Sequence, residues 1–335
     1  MSCGHISILL PVRDAAVTLP ACLRSILRQT EPDWECIVID DGSRDGSLAL
    51  ARAAADADPR FRVLAREREG LVSALNAGLA ECRGALVARM DADDLMHRNR
   101  LAAQRAALSL DPELAALGCH VRLFPRQSLG PGMRAYERWL ATVDSPRRVQ
   151  EEAFVECPVA HPTLLVRATT LRAFGYRDAG WPEDYDLLLR MLERGERVGV
   201  VPRRLLSWRH TTGRTSQTSP TYGSDRFAAC KASFLTRSFL SGRDGYVLWG
   251  YGGTGRALHR ALRALGKRAT AIVELHPRRI GNTIQGAPVI RPEDLSGGLR
   301  EPLVVSVAGE NARREIRASL AGMGYRETRD YVCAA

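Results

Sequence analysis

Short apolar runs alternate with amphipathic segments through the first part of the chain, and this alternation restricts the folds open to it. Four runs have the length and composition of buried strands, and they cover residues 6–12, 34–39, 61–65 and 85–90. Apolar residues recur at helical spacing in the intervening segments 17–29, 46–57 and 71–81. Strands that alternate with helices predict an α/β fold built on a mostly parallel sheet.

Acidic side chains crowd the ends of two of these strands. Asp40 and Asp41 end the second strand, and Asp91, Asp93 and Asp94 follow the fourth. An unpaired carboxylate is costly to bury, so such a cluster is either solvated or neutralised by a cation. Carboxylate oxygens beside an open space suit Mg²⁺ or Mn²⁺, particularly one that also holds phosphate oxygens. Because the carboxyl ends of parallel strands share one edge of a sheet, we expect a single site there.

Length and composition narrow the class of protein. A chain of 335 residues is long enough for two domains, and none of its apolar runs reaches the length of a membrane span. The N-terminus lacks the pattern of a signal peptide, which predicts a cytoplasmic protein. Eight cysteines are scattered without CxxC spacing, which argues against a zinc site and against a disulfide framework.

The net charge of +10 comes almost entirely from arginine, since the only lysines are Lys231 and Lys267. A basic surface could meet anionic lipid headgroups or phosphorylated substrates; compositional bias is the alternative. No tight basic cluster with interleaved aromatic residues occurs, so we expect no nucleic-acid partner.

A second β-α-β pattern begins at Tyr246. There Gly250-Tyr-Gly252-Gly-Thr-Gly255 follows a strand and opens a helix, and Glu274 ends the next strand. Glycines at such a turn let the backbone approach a pyrophosphate at a helix N-terminus. The pattern predicts a small Rossmann-like domain that serves as a binding, regulatory or assembly module, with a nucleotide or dinucleotide as its candidate ligand; a purely structural module is the alternative. No Tyr-x-x-x-Lys accompanies it, which argues against a dehydrogenase or epimerase.

Several motifs follow one another along the first two thirds of the chain. They are the segment 6–14, the helix segment 23–30, Ile39-Asp-Asp-Gly-Ser43, Asn76-Ala-Gly78, Met90-Asp-Ala-Asp-Asp94 and the segment 183–190. In this order they resemble the motifs of family 2 glycosyltransferases of the GT-A fold, and the resemblance covers residues 4–215. The resemblance implies three segments: a GT-A domain over 1–220, a helical linker over 221–244 and the Rossmann-like domain over 245–335.

The resemblance also implies an activity. A sugar would move, with inversion, from a nucleotide-diphosphate sugar, UDP-type favoured, to a glycan or lipid-linked acceptor in cell-surface polysaccharide or lipopolysaccharide assembly. A homodimer and a peripheral contact with the inner face of the cell membrane are compatible with this expectation. The alternative is a non-catalytic sensor or assembly protein that binds a nucleotide sugar or dinucleotide. An NAD-dependent oxidoreductase would rest on the C-terminal glycines alone.

Carried over residue by residue, the resemblance predicts a donor site. Pro11, Val12 and Arg13 would line the base pocket, and Asp41 would accept a hydrogen bond from the base. Asp41 has an alternative role in an Asx-turn with Gly42 and Ser43.

The same carry-over predicts the metal site. Asp93 would bind Mn²⁺ or Mg²⁺ directly, whereas Asp91 would hold ribose hydroxyls or metal-bound water. Asp94 could instead cap the helix that starts near Arg98. His210 could supply a third metal ligand, although an ordinary role at a strand end is equally open.

On the acceptor side the resemblance assigns Asp184 as the general base, with Glu183 beside it. Acidic residues in the first turn of a helix are also ordinary partners of the helix dipole. His161 could contact acceptor or diphosphate, or serve the structure alone. Arg209 could meet the diphosphate, and the Thr/Ser-rich segment that follows could close over the donor.

Two positions depart from the family pattern. Arg13 stands where an aromatic residue is common, and Leu75 stands where an arginine is common. The second departure removes one cation expected near the phosphates.

Overall fold

The computed structural model describes residues 5–211, 220–298 and 300–335, which form two compact units. The first unit consists of Met1–Val149, Val159–Ala179 and Glu183–Arg214, and the second of Gln150–Pro158, Gly180–Pro182 and Thr215–Ala335. The second unit thus takes two short segments that the sequence assigns to the first domain. Phe154 explains one of them, because its ring packs against the hydrophobic core of the second unit.

The first unit is built on an eight-stranded mixed sheet with the order β3-β2-β1-β4-β7-β6-β8-β5. Its strands are β1 Ile6–Val12, β2 Trp34–Asp41, β3 Phe61–Arg66, β4 Leu86–Arg89, β5 Leu95–Met96, β6 Leu114–Phe124, β7 Leu165–Arg167 and β8 Arg197–Arg209. Strands β1 to β4 pair in parallel, and every residue of β1 and β2 is buried. This confirms the α/β fold with a mostly parallel sheet.

Helices lie between these strands. They are α1 Leu19–Leu27, α2 Ser47–Ala57, α3 Leu71–Glu81, α4 Arg100–Leu110, α5 Pro131–Leu140, α6 Pro146–Glu152, α7 Ala168–Phe174 and α8 Glu183–Glu193. Helix α3 lies very close to the sheet at Gly78, where a Cβ would stand 2.4 Å from a methyl carbon of Ile39 and 2.6 Å from one of Leu9. The glycine of the Asn76-Ala-Gly78 motif is therefore required by packing.

The second half of this sheet differs from the sequence expectation in one place. The sequence predicts two short strands over 198–201 and 205–208, whereas the structure has the single strand β8. Exposed Pro202, Arg203 and Arg204 interrupt the apolar pattern, but β8 continues through them with an irregular register against β6.

The second unit has a six-stranded sheet with the order β11-β12-β10-β9-β13-β14. Its strands are β9 Gly245–Trp249, β10 Arg268–Val273, β11 Thr283–Ile284, β12 Ala287–Ile290, β13 Leu303–Val305 and β14 Tyr331–Cys333, and its helices are α9 Ser224–Arg237, α10 Gly253–Ala264 and α11 Glu310–Gly322. All strand pairs except β11–β12 are parallel.

Helix α9, which the sequence assigns to a linker, contributes to the core of the second unit. Its Ala232 and Leu235 belong to the same buried cluster as Tyr246, Leu258 and Ile272. Both lysines of the chain are structural here, since the Lys267 ammonium donates to the carbonyls of Leu240 and Arg243 and Lys231 donates to Val155 and Ala334.

Within the described ranges, no helix combines the length and apolar character needed to cross a bilayer. The seven cysteines that the structure describes are buried and form no disulfide among the described residues.

Candidate active site

The ends of three neighbouring strands bring the predicted donor-site residues to one edge of the first sheet. Strand β1 lies between β2 and β4, so Arg13, Asp41 and Asp91 follow adjacent strands. This edge is the carboxyl edge, where ligands bind in open α/β sheets.

The acidic residues after β4 form a compact group of oxygen ligands. One carboxylate oxygen from each of Asp91, Asp93 and Asp94 lies within 4.8 Å of the others. Asp91 and Asp93 are half-buried, whereas Asp94 is fully buried. The group therefore offers two accessible carboxylates supported by a buried third.

Asp94 ties this turn to the end of β8. Its Oδ1 accepts a hydrogen bond from the Arg209 amide at 2.7 Å, and the Arg209 Nε donates to the Asp93 carbonyl at 2.7 Å. Asp94 therefore does not cap the next helix, because α4 begins at Arg100 with Asn99 at its N-cap. The Arg209 side chain is likewise held by the turn, through the bond from its Nε to the Asp93 carbonyl.

His210 follows directly at the end of β8. Its amide donates to the Phe124 carbonyl at 2.7 Å. Among the described residues, the cluster of acidic ligand atoms does not include the His210 ring. Most of the Thr/Ser-rich segment after it, 212–219, lies outside the described residues.

Arg89 is the central cation beneath the acidic turn. It is 3% exposed, and its guanidinium meets the Asp91 carboxylate at 2.7 Å. Burial by itself would lower the pKa of Arg89, but the Asp91 charge and other nearby anions raise it overall. The ion pair therefore keeps both partners charged and fixes the orientation of Asp91.

Sequence reasoning missed this role of Arg89. The available signal was a charged side chain at the end of an otherwise apolar strand, since an arginine is almost never fully buried unless it is paired.

His161 and Tyr176 form a buried pair in the same region. The His161 Nε2 lies 3.2 Å from the Tyr176 hydroxyl, and its Nδ1 lies 3.6 Å from a Glu183 oxygen. Burial first, and then the charge of Arg89, holds the pKa of His161 well below its usual range. His161 is therefore neutral at physiological pH.

Asn76 holds Tyr176 in place from a distant part of the chain. Its side-chain amide donates to the Tyr176 carbonyl and accepts from the Tyr176 amide, both at 2.9 Å. This two-point bond gives the asparagine of the Asn76-Ala-Gly78 motif a positioning role that the sequence did not reveal.

Asp184 stands in the first turn of α8 and is half-buried. Its Oδ1 accepts a hydrogen bond from the Tyr185 amide at 2.7 Å. Burial raises the pKa of Tyr176; Arg89 opposes this, and the charges of Glu183 and Asp184 add to it. Asp184 thus belongs electrostatically to the same group as Arg89, Tyr176 and Glu183.

Asp186 has a different environment from Asp184. It is fully buried and pairs with Arg177 at 2.7 Å and with Arg190 at 2.6 Å. The Asp186–Arg190 pair, four residues apart on α8, is therefore structural.

The two aspartates that end β2 divide their roles. Asp40 holds the turn after β2, because its Oδ2 accepts from the Ser43 amide, three residues on, at 3.1 Å. Asp41 instead accepts three hydrogen bonds from the amides of Glu69 and Gly70 at the start of α3. Arg13 lies beside it, with 3.7 Å between Nη1 and Oδ2. The turn with Gly42 and Ser43 is therefore held by Asp40 rather than by Asp41.

The remaining donor-site residues are largely core. Pro11 and Val12 are buried, so they present backbone groups to the edge rather than side chains. Leu75 is fully buried, which makes this departure from the family pattern a core position of α3.

The C-terminal glycines lie in the second unit. Gly250 follows β9, Gly252 caps α10 and Gly255 lies in its first turn. Glu274, directly after β10, accepts a hydrogen bond from the Tyr251 amide at 2.9 Å, so it touches the glycine turn.

Comparison with known structures first defines the fold. A mannosyltransferase from Pyrobaculum calidifontis, PcManGT, solved with GDP-Man and Mn²⁺, matches 96% of this chain and 81% of its own, with a TM-score of 0.55 and 18% identity. This likeness shows the GT-A type of fold and no more.

Sequence comparison then gives the family. The model of glycosyl transferase family 2 matches residues 7–166. EpsE of Bacillus subtilis (strain 168), which its name assigns to the glycosyltransferases, is 30% identical over 236 residues, 68% of this chain and 82% of that protein. The amylovoran biosynthesis glycosyltransferase AmsE of Erwinia amylovora is 30% identical over 199 residues, 59% of this chain and 72% of that protein. The chain belongs to the family 2 glycosyltransferases and is a transferase enzyme.

Proposed function

We propose that the enzyme transfers a sugar, with inversion, from a nucleoside-diphosphate sugar to a hydroxyl of a glycan or lipid-linked acceptor. The observation that carries this proposal is the group formed by Asp91, Asp93 and Asp94, within 4.8 Å of one another at the carboxyl edge of the sheet. Asp184 supports it, because its charge and that of Arg89, the partner of Asp91, both act on the buried Tyr176.

The donor set fits Mn²⁺ or Mg²⁺. Every candidate ligand is a carboxylate, and hard divalent cations prefer oxygen. Asp93 is proposed as the direct ligand, and Asp91, which pairs with Arg89, as a partner of ribose hydroxyls or metal-bound water. When bound, the cation would neutralise the charge of the leaving diphosphate. The solved complex of PcManGT with Mn²⁺ supports a divalent metal.

The nucleotide would lie across the ends of β1 and β2. Arg13 is 29% exposed at this edge, beside the buried carboxylate of Asp41. A carboxylate has room for about four hydrogen bonds, and Asp41 accepts three from backbone amides. It therefore retains capacity for a base N–H, while the backbone of Pro11 and Val12 completes the pocket. We favour a UDP-type donor.

Asp184 would act as the general base. In an inverting transfer a carboxylate takes the proton of the acceptor hydroxyl as that oxygen attacks the sugar from the face opposite the leaving diphosphate. Glu183 is 5% exposed and lies next to neutral His161, so this pair would orient the acceptor side rather than exchange the proton.

Two observations support the proposed acceptor class: the named role of a relative and the net positive charge of the chain. AmsE is named for amylovoran biosynthesis, which supports a role in polysaccharide assembly. The net charge of +10 would favour docking on an anionic bilayer that carries a lipid-linked acceptor. Co-sedimentation with anionic but not neutral liposomes is expected; equal recovery with both would remove this part of the proposal.

The test of the main proposal is a donor screen. The purified enzyme is incubated with UDP-, GDP- and dTDP-sugars in Mn²⁺, with and without simple glycan acceptors, and released nucleoside diphosphate is measured. We expect one donor to be consumed and chelation by EDTA to abolish this. Binding of a nucleotide sugar without any turnover, across donors and acceptors, would contradict the proposal and favour a binding protein.

A further inference from the structure

We propose that the second unit contains a binding site of its own for a nucleoside 5′-diphosphate group, at the carboxyl ends of β9, β10 and β13. This goes beyond sugar transfer, which needs only the acidic edge of the first unit. The source of such a group is a nucleotide sugar or a dinucleotide, and the experiment below separates the two.

Sheet topology gives the position. The chain starts at β9 and adds β10 and then β12 on one side of it. It then returns to the other side of β9 and adds β13 and β14 there. Loops leave β9 and β13 in opposite directions at this reversal and open a crevice between them. The glycine turn follows β9, and Ser306, which follows β13, packs against it, since its amide donates to the Trp249 carbonyl at 2.8 Å.

Two of the glycines are explained by packing. Gly250 has φ of +96°, and a Cβ on it would stand 2.4 Å from a methyl of Val307. A Cβ on Gly255 would stand 2.1 Å from the Gly250 carbonyl oxygen. Any protein with this close turn needs glycine at these positions, so they carry no argument for a ligand.

Gly252 and Gly253 are different. A Cβ on either would meet no heavy atom within 4 Å, and neither has a left-handed φ. Nothing in the described part of the chain requires glycine there. Glycine at the N-cap and first turn of α10 leaves the amides open to a group approaching from outside, and no side chain caps that helix.

A buried hydroxyl beside the glycine turn supplies a second, independent observation. Ser306 is 2% exposed, and its Oγ has no hydrogen-bond partner among the described residues. Its carbonyl accepts from the Thr254 hydroxyl at 3.4 Å and stands 3.0 Å from the Cβ position of Gly250. A buried polar group without a partner is costly, and a phosphate oxygen in the crevice would satisfy it.

Room for a nucleoside adjoins the turn. A cavity of about 560 Å³ lies at the ends of β10 and β12, and its lining combines Leu275, Pro277, Ile280 and Pro292 with Arg291 and three carboxylates, among them that of Glu274. The apolar members suit the faces of a base. Glu274 joins the cavity to the glycine turn through its bond with the Tyr251 amide, where its carboxylate can also accept from ribose hydroxyls.

The site is proposed to bind a nucleotide and not to catalyse hydride transfer with a lysine of this unit as the acid. Lys267 precedes β10, at the amino edge of the sheet and away from the glycine turn, and its ammonium donates to two backbone carbonyls. The site therefore fits recognition of an intact nucleotide, and occupation would be read out as affinity and stability.

The experiment is calorimetric titration of the full chain in EDTA, which removes divalent cations from the acidic edge. The probes are UDP-glucose and GDP-mannose for the nucleotide-sugar arm, and NAD⁺ for the dinucleotide arm. We expect one arm to bind with Kd below about 1 mM. Failure of all three probes to bind this tightly would overturn the proposal, whereas sugar transfer in Mn²⁺ would be unaffected by that result.

The location is tested with Gly253→Asp. The open space at Gly253 admits the side chain, and an acidic residue in the first turn favours the helix, so the fold is retained. The carboxylate repels phosphate, and we expect Kd to rise at least about tenfold. Gly322→Asp, also placed in open space but at the far end of α11, is the matched control and should change Kd less than about twofold. Equal affinity in Gly253→Asp and wild type would overturn the proposal.

Discussion

The parallel parts of the two sheets share one strand order, but the residues at their carboxyl edges differ in kind. In the first, the parallel strands run in the order β3-β2-β1-β4, and in the second they run β12-β10-β9-β13, each with its earliest strand in third place. The carboxyl edge carries Asp41, Asp91 and Asp93 in the first unit, and Gly250, Gly252 and other glycines in the second.

This difference separates position from chemistry. Strand order decides where a ligand can bind, because it decides where loops diverge. The residues at that point decide how a diphosphate is met: carboxylates do so through a cation, and glycines through backbone amides. Substitutions at the acidic edge should therefore change metal affinity and transfer, whereas substitutions at the glycine edge should change stability.

The largest effect is expected for Asp93→Ala, which removes the proposed direct metal ligand from the acidic edge. Transfer should fall by about a thousandfold or more, since a bound metal stabilises the leaving diphosphate by several kcal/mol. Mn²⁺ affinity, measured by calorimetry, should fall with it. Normal transfer in this variant would show that the acidic edge does not act through a metal at Asp93.

Asp184→Asn keeps the shape of the side chain and removes the base. The rate of transfer should fall by about 10²–10⁴-fold, whereas donor and Mn²⁺ affinity stay near the wild-type values. The measurement is kcat with saturating acceptor, together with the donor Kd. Parallel losses of both quantities would assign Asp184 to donor binding instead.

At the glycine edge the first contrast is in stability. Gly255→Ala forces a Cβ to 2.1 Å from the Gly250 carbonyl oxygen, so the free energy of unfolding should fall by about 1–3 kcal/mol. Gly253→Ala, the matched control, meets open space and should change stability by less than about 0.5 kcal/mol. Hydrogen exchange of β9 and α10 amides gives both values; equal protection in the two variants would contradict the close turn.

The sequence predicted the acidic edge well because strand ends and acidic clusters are local features. Asp91, Asp93 and Asp94 stand within four residues of one another, and the parallel sheet that presents them follows from the β-α alternation. What it missed depends on contacts between distant segments. Asn76 and Tyr176 meet across 100 residues, and no periodicity in either segment records that bond.

The same limit applies to domain organisation. Residues 150–158 fall in the range that the sequence assigns to the GT-A domain, and only the folded chain reveals that Phe154 packs on the core of the second unit. The sequence predicts two strands in place of β8, because Pro202, Arg203 and Arg204 interrupt its apolar pattern. Tertiary pairing with β6 overrides that local signal.

The smallest effect on the enzyme is expected for Glu35, a carboxylate at the amino edge of the first sheet. Unlike the carboxylates of the acidic edge, it should affect stability and not metal binding. Glu35 is 5% exposed, accepts from the Ser7 hydroxyl at 2.7 Å and from the Arg83 amide at 2.8 Å, and pairs with Arg62. These partners are all structural, so Glu35→Gln should cost about 1–2 kcal/mol of stability and leave Mn²⁺ affinity and transfer unchanged.

The pH dependence of Glu35 gives a second measurement. Burial raises the pKa of Glu35, but hydrogen bonds from Ser7, Arg83 and Arg62 outweigh burial and lower it overall. A folded-state pKa below the unfolded value of about 4.3 gives stability that is complete above that pH and is lost as the pH falls through the folded-state pKa. Urea unfolding at pH 7 and at successively lower pH should therefore show a loss in wild type that is smaller in Glu35→Gln. Parallel curves for the two proteins would show that this carboxylate, unlike those of the acidic edge, gains nothing from its charge.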